Sequence, residues 1–589
     1  MYFLEKIKQN IAGIINQALK KKLVKATDLV YPPKPEFGDL SLPCYNIAKF
    51  FNKNSVEMAE FLVNKIILND VAVGVKAIGP FINFTFNKTK LTQEVIKEIL
   101  KFKNKYGVNN VGKNKKIMIE FSNGNTHKEY HVGHLRNICY GNAMTKILIA
   151  NNYKLIPVSY INDFGIHAAK TLWLLKKIYK KANKSFPTLA IGKNKGYFLG
   201  KLYATANKEL ENNEVAKIEV SEIMKNIESK KGADYKLWQK TRKWSIDNFN
   251  KIYKELGIKF EHIFYESEEI KKGLDMVAKL YAKHFFIKSQ GAIIADLNKY
   301  NLGVLVILRS NGTALYPVAD LPLAEKKFKK YKIDKSIYVV DVRQSLYFKQ
   351  LFKILKLLGC KKEIMHLGYE FVKLPDGMMS SRTNNVITYE DLRTQILKKS
   401  ISEIKKRHKN WNKKKINNVA DDIVNGALKF EMLKTKSDKI ITFDINQALR
   451  FDGWTATYLQ YTIVRINSIL KKSNFQFSSP AKSRGDNFQK NSKFKIENLK
   501  LEDVKESTLV NKLAKYPEVV ETAGKNYDPS ELAKYLFELA QEFNDYYHAT
   551  PVLKAKTEIR QSRLTLIAAI KQTLKNGLGL LGIEPVEEM

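Results

Sequence analysis

The stretch Lys116-Ile-Met-Ile-Glu-Phe-Ser-Asn-Gly-Asn-Thr-His-Lys-Glu-Tyr-His-Val-Gly-His134 decides the fold. It opens on a short apolar run of strand character, Lys116 to Phe121. A turn follows, and a helix is predicted over Leu135 to Asn151 with a further strand at Leu155 to Tyr160. Strand, loop, helix and strand in that order imply parallel neighbours and a doubly wound α/β sheet. Ala292–Asp296, Gly303–Leu308 and Ser336–Val340 are further short apolar runs, suited to strands buried on both faces. The charged stretch from Lys176 to about Lys259 reads as a helical insertion between the halves of this sheet.

On the N-terminal side, residues 1–110 read as a small α/β unit. Ile7, Ile11, Ile14, Ile15 and Ala18 recur at helical spacing, and residues 31–39 form a Pro-rich loop. Helices are expected at Leu40–Phe51 and Ser55–Leu68, and strands at Val71–Val75 and Phe81–Phe86. On the C-terminal side, residues 391–589 read as all-α. The clearest helices are Leu513–Ala523, Ser530–Tyr547 and Arg560–Lys575, the last with a C-cap at Asn576-Gly577. A polar loop is expected over 473–494.

The length of 589 residues suggests roughly three or four domains. Hydrophobic residues at 44% exclude a disordered polybasic chain. The net charge of +42 has two readings, a polyanionic partner or a Lys-rich proteome, and composition alone leaves both open. Cys44, Cys139 and Cys360 lie far apart without a CxxC, so neither a disulfide framework nor a zinc site is expected. The N-terminus does not read as a signal peptide, and no apolar run is long enough to span a membrane. A soluble, cytoplasmic protein without membrane contact is the expectation.

Three of nine histidines fall at His127, His131 and His134. A metal site is disfavoured, because HExxH is not matched and no cysteine supports it. A nucleotide site is the better reading. His131-Val-Gly-His134 opens a helix after a strand, which puts two imidazoles where backbone N–H groups and the helix dipole favour an anion. Gly133 lets a base or ribose approach closely. Further on, Asp376-Gly-Met-Met-Ser-Ser-Arg382 is either a surface turn or a phosphate lid whose hydroxyls and Arg382 close over a polyphosphate.

These two motifs resemble the HIGH and KMSKS pair of class I aminoacyl-tRNA synthetases, which carry a Rossmann-like catalytic domain. The wider sequence resembles the arginyl-tRNA synthetase family. The resemblance runs through Glu120-Phe-Ser-Asn-Gly-Asn125, Lys128, His131–Arg136, Asn162-Asp-Phe-Gly165, Ser310–Tyr316 with Asp320, and Gln344. It continues in Gly453–Tyr461 and the terminal Lys575–Ile583. It implies a Rossmann-like catalytic domain (111–390), a tRNA-contacting N-terminal domain (1–110) and a helical anticodon-binding domain (391–589). It implies ATP with Mg2+ as co-substrate, L-arginine and the cognate arginine tRNA as partners, and a monomer.

The resemblance also implies roles. His131, His134, Lys128, Ser380, Ser381 and Arg382 would serve catalysis, and His131, Gly133, His134 and Met379 would hold ATP. Tyr316 and Asp320 would bind the guanidinium, which needs carboxylates in forked geometry. Glu266 is a weaker candidate, and Glu120, Asn125 and Gln344 would hold the α-amino and carboxylate ends or brace the pocket. Asp320 could instead cap a helix, and Glu120 could form a strand-end salt bridge. Phe37 in Phe37-Gly-Asp-Leu-Ser41, with Tyr458, Gln460, Tyr461 and Arg465, would contact tRNA; domain packing is the alternative for the last four.

Three departures stand out. Met378 and Ser381 replace the two lysines of the KMSKS pattern, and Lys128 is expected to supply the missing charge. Asn311 and Tyr130 replace residues more usual in the family. His167 stands where glutamine is common near the adenosine pocket, and its role is open. A class I synthetase for another amino acid, a small-molecule nucleotidylyltransferase and an inactive tRNA-binding paralogue are the rival readings.

Overall fold

The computed structural model describes residues 1–181, 194–375, 387–475, 496–501 and 503–589. In the N-terminal part, a helix over Phe3–Leu19 buries Ile7, Ile11 and Ile15. It shares a hydrophobic core with an antiparallel sheet of β1 (Leu40–Pro43), β2 (Ala72–Ile78) and β3 (Phe81–Phe86), in the order β1-β3-β2. The helix expected over Leu40–Phe51 is therefore shorter, Tyr45–Phe50, because Leu40–Pro43 pair residue by residue with Phe81–Phe84.

The central sheet contains β4 (Lys116–Glu120), β5 (Lys154–Ile161), β6 (His262–Tyr265), β10 (Lys335–Asp341) and β11 (Glu363–Tyr369). All pairs are parallel, in the order β11-β10-β4-β5-β6. The chain winds outward from β4 to β6, then returns to the other side of β4. That reversal opens a crevice at the carboxyl ends of β4 and β10, where doubly wound sheets bind ligands. The helix Val132–Ala150 makes the first crossover and is buried on most of its faces.

Two expected members of this sheet lie elsewhere. β8 (Ala292–Asp296) and β9 (Val304–Leu308) join β7 (Ile287–Ser289) in a separate antiparallel sheet. The short link across Asn298–Tyr300 permits only antiparallel pairing, since a parallel crossover needs a dozen residues or more. Between β5 and β6 stand the helices Ile166–Lys181, Lys195–Leu210, Glu214–Glu228 and Gly232–Glu255. They enclose their own apolar cluster around Leu172, Leu199 and Trp238.

Among the described residues from Tyr389 onward the elements are helices, apart from β13 (Ile441–Thr442), which pairs with β12 (Val372–Lys373). Its last helix runs Thr557–Leu580, past the expected C-cap. Gly577 lies inside it because a Cβ there would overlap Leu536 of the neighbouring helix; the chain turns later, at Gly582 with φ +75°. The N-terminal part packs on this region. Tyr106 Oη donates to the Leu513 carbonyl at 3.0 Å, and Lys8 pairs with Glu518 at 2.8 Å. Among the described residues, no helix is long and apolar enough to cross a membrane.

Candidate active site

His131 is the N-cap of the crossover helix, and the two motif histidines close a reciprocal cap there. The Gly133 N–H donates to His131 Nδ1 at 3.1 Å, and the His131 N–H donates to His134 Nδ1 at 3.2 Å. Both Nδ1 atoms are acceptors, so a neutral ring carries its proton on Nε2. The rings do stay neutral. Burial, then the Arg343 and Lys128 cations, lower His131 to about 4. Burial lowers His134 well below the ordinary value, helped by His131 and Lys128. A side chain at position 133 would press on the His131 ring, with its Cβ 2.9 Å from Cε1. The first N–H groups of the helix are already engaged, Val132 with the Ile387 carbonyl, Gly133 with His131 Nδ1 and His134 with the His131 carbonyl, so the arrangement offers an anion two Nε2–H donors at the positive end of a helix dipole.

His127 is not part of it. Its ring is fully buried between Thr126 Oγ1 (3.0 Å) and Thr241 Oγ1 (2.8 Å), and burial lowers it to about 3. It ties the insertion to the motif loop. Among the described residues, no group of three His, Cys, Asp or Glu side chains could hold a metal ion.

The far end of the crevice is acidic. Asp320 lies on the helix Tyr316–Tyr331, and Glu266 opens the helix Glu266–Ala282 directly after β6. The N-cap of the Asp320 helix is Leu315, so Asp320 does not cap it. Asp320 accepts a hydrogen bond from Tyr347 Oη. Burial, offset by Tyr347 and reinforced by Glu120, raises the Asp320 carboxyl to about 7. Glu266 is buried, with Oε2 lacking any partner, and burial followed by Asp320 and Asp163 raises it well above the carboxylate range. Tyr160 Oη is also buried without a partner, and Asp320, Glu266 and Glu120 are the charges that press on it most. Carboxylates of raised pKa that form no ion pair among the described residues, beside an unpartnered phenol, suit a cation.

The two acidic helices can meet because of Gly273, where a Cβ would overlap the Val318 carbonyl. Glu266 is fixed from behind by Asp163, a fully buried carboxylate. Asp163 accepts from the Ser267 N–H (2.9 Å), Ser267 Oγ (2.8 Å) and Arg242 of the insertion.

Other expected site residues fall nearby with different roles. Glu120 ends β4 and pairs with buried Lys327 at 2.6 Å, so it takes the strand-end salt-bridge reading. Tyr316 stands exposed at the rim, its ring 6.4 Å from Tyr347. Asn125 bridges to Asn162 through the backbone, and Gln344 is exposed just beyond β10. Lys128 lies over the Tyr203 ring at 5.0 Å. Met379, Ser380, Ser381 and Arg382, with Met378, lie outside the described residues. The chain on both sides of them abuts the motif helix. Thr388 bridges to His131, and Arg136 donates to the Glu370 (2.5 Å) and Phe371 (3.3 Å) carbonyls.

Phe37 lies half-buried on a 3-10 turn, 6.0 Å from Lys34 Nζ. On the helix Ala456–Lys472, Gln460 is wholly buried and donates to the Asp422 and Glu584 carbonyls, which makes it a packing residue. Tyr461 remains accessible with Arg465 5.0 Å above its ring, while Tyr458 Oη accepts from Asn544 Nδ2.

Sequence reading passed over Tyr160, Tyr347, Lys327 and Arg242. The one signal was spacing: Lys327 falls two helical turns after Asp320, on the same face.

Comparison with known proteins covers the same ground. Residues 95–445 match the family of class I tRNA synthetases (R), catalytic domain. Residues 459–589 match the DALR anticodon binding domain, and 5–86 the arginyl tRNA synthetase N terminal domain. Arginine–tRNA ligase of Bdellovibrio bacteriovorus is 35% identical over 95% of this chain and 94% of its own. That of Borrelia hermsii is 33% identical over 99% and 100%. The arginyl-tRNA synthetase structure of Thermus thermophilus superposes with a TM-score of 0.79 at 25% identity, covering 99% of this chain and 100% of that one. A neutral histidine pair facing an acidic pocket, on a fold shared along nearly its whole length with these relatives, places the chain in the class I arginyl-tRNA synthetase family.

Proposed function

We propose that this chain carries out the family's reaction, ATP-driven ligation of arginine to tRNA, with the following division of labour. The guanidinium of L-arginine enters between Asp320 and Glu266, with Tyr160 and Tyr347 as hydrogen-bonding walls and Tyr316 at the rim. The ion pair of Glu120 with Lys327 braces the floor, and Asn125 and Gln344 face the α-amino and carboxylate end. ATP lies with its α-phosphate at the His131–His134 helix end and its base or ribose against Gly133. A carboxylate oxygen of arginine attacks the α-phosphorus. The bond to the bridging oxygen breaks, and pyrophosphate leaves with that electron pair. The two Nε2–H groups stabilise charge that grows on the phosphoryl oxygens.

In the second step the 2′-OH of the terminal adenosine attacks the adenylate carbonyl, AMP leaves, and the hydroxyl proton departs to the AMP phosphate or solvent. Mg2+ accompanies ATP rather than a protein cage. Lys128, close enough to depress both motif histidines, supplies cationic charge to the phosphates; Ser380, Ser381 and Arg382 share the catalytic role, and Met379 the binding of ATP. A Lys128→Ala variant with near-normal exchange would remove it from this list of roles.

The observation that carries the reading is the combination, in one crevice, of two neutral imidazole donors with two carboxylates of raised pKa, the buried Glu266 with an unpartnered Oε2 and the half-buried Asp320 held by Tyr347. We divide the chain at 1–110, 111–390 and 391–589, with tRNA lying across all three, and take it to act as a cytoplasmic monomer. Phe37, Tyr458, Tyr461 and Arg465 offer aromatic and cationic contacts to RNA. ATP–pyrophosphate exchange across all proteinogenic amino acids, with and without tRNA, tests the proposal. Exchange with arginine alone, dependent on tRNA, is expected; no exchange under any condition overturns it.

A further inference from the structure

Arg136 lies two residues after His134 on the crossover helix Val132–Ala150, and its side chain is buried. Nη1 donates to the carbonyls of Glu370 (2.5 Å), Phe371 (3.3 Å) and Lys439 (2.8 Å). Nη2 donates to those of Lys436 (3.1 Å) and Ser437 (3.3 Å). All five partners are main-chain oxygens, and no carboxylate is among them. A guanidinium keeps its charge near neutral pH, so backbone dipoles hold a buried cation here. An apolar side chain of similar volume would fill the same space without that desolvation cost. What arginine adds is a planar fork of donors that fixes the direction of two loops at once.

The two loops lie where the central sheet meets the helical C-terminal region. Glu370 and Phe371 join β11 to β12, and residues 436–439 lie between the helix Lys413–Leu433 and β13. The loops also hold each other, through the Glu370 N–H on the Ser437 carbonyl at 2.8 Å. Asn137, the next residue, pins the helix on the sheet side. Its Nδ2 donates to the Val339 carbonyl of β10 (2.7 Å) and to Tyr369 Oη (3.1 Å), and its Oδ1 accepts from the Ser122 N–H just after β4. The helix start that carries both imidazoles is therefore clamped between the sheet and the junction. A hydrogen-bonded helix shifts as one body, so slack at Arg136 moves His131 and His134 together.

We propose that Arg136 is a positioning residue for adenylate formation. It touches no substrate; it fixes the helix end so that the Nε2–H groups of His131 and His134 meet the α-phosphate. The inference rests on the reading given under the proposed function. Displacing a reacting group by about 1 Å can cost roughly a hundredfold in rate, while ATP and arginine keep their own contacts.

The test is ATP–pyrophosphate exchange with arginine and tRNA, on Arg136→Ala and Arg136→Lys, each alone and combined with His134→Ala. In Arg136→Ala kcat is expected to fall about a hundredfold, with the KM values for ATP and arginine little changed. Arg136→Lys should lose less, since its ammonium keeps the charge without the fork. In the His134→Ala background the same substitutions should cost far less, because a donor they place is already gone. Guanidinium or methylguanidinium ion at millimolar concentration can occupy the five carbonyls. It should restore kcat to Arg136→Ala in a saturable way and leave the wild type unaffected. Unchanged kcat in both single variants overturns the inference, whatever happens to the melting temperature. A loss of equal size with and without His134 overturns it too, since the clamp then does not act through that ring. If neither variant folds, the clamp serves folding alone and the inference fails. Absence of exchange in the wild type overturns the underlying reading instead.

Discussion

Lys327 Nζ lies 2.6 Å from Glu120 Oε2, and neither side chain reaches solvent. Lys327 also faces the Tyr338 ring at 4.2 Å. It joins the end of β4 to the helix that bears Asp320, so a buried cation underlies the proposed guanidinium pocket. Glu120 dominates the causes that raise its ammonium. Removing one partner of a buried pair leaves the other charge uncompensated, at a cost of roughly 3–5 kcal/mol. Lys327→Met should therefore lower the denaturant midpoint sharply, and adding Glu120→Gln should recover much of the loss. Equal midpoints for the single and double variants would contradict the coupling.

With Asp320 raised to about 7, arginine binding in the proposed pocket should depend on pH. The guanidinium needs the ionised carboxylate, so binding displaces a proton below that pH. From pH 8 to pH 6 the dissociation constant for arginine should weaken roughly tenfold, with proton release seen by calorimetry in buffers of different ionisation enthalpy. The sign for stability is opposite. An acid whose folded pKa is raised binds more protons folded than unfolded, so it destabilises the free protein as pH rises from about 4 through 7. Asp320→Asn should raise the melting temperature at pH 8 while abolishing arginine binding. It can still accept from Tyr347, so unfolding would not be the cause.

The motif histidines predict the opposite profile. His131 lies near 4 and His134 well below its ordinary value, so neither titrates between pH 6 and 8. At saturating arginine, the rate of pyrophosphate exchange should show no imidazole limb in that range. His134→Ala should lower kcat by about 10²–10³, the usual scale for one lost transition-state donor, with little change in ATP affinity. A limb near pH 6.5 that vanishes in His134→Ala would show a protonated ring at work.

Gly273 sets the spacing between the two carboxylates. A methyl group there meets the Val318 carbonyl, two residues before Asp320, and drives the helices apart. Gly273→Ala should cost about 1–3 kcal/mol and raise KM for arginine more than for ATP. Gly13→Ala is the control, since a Cβ there meets nothing within 4 Å. If both variants bind arginine like the wild type, helix spacing does not set the pocket.

Much of the site was legible in the linear chain because its parts are local. His131, Gly133 and His134 form a cap from residues at most three apart, so their spacing contains their geometry. The strand-loop-helix-strand order around Lys116–Tyr160 likewise predicts a parallel pair. Local pattern failed where a distant partner decides. β8 and β9 have the composition of central strands, yet the short link between them holds them antiparallel in another sheet. Gly577 looks like a C-cap, but Leu536 makes it a contact point inside a helix.

The residue patterns determined on their own that the chain has packed α/β and helical parts and that two histidines three residues apart open a helix after a strand, while the net charge of +42 left its two readings open. Only the tertiary structure decided which carboxylates are free. Glu120, Asp163, Glu266 and Asp320 are all carboxylates in the sequence, but Lys327 and Arg242 pair with the first two, while the last two form no ion pair among the described residues. Coulomb energy depends on separation and burial, and the partners here lie 207 and 79 residues apart in the chain.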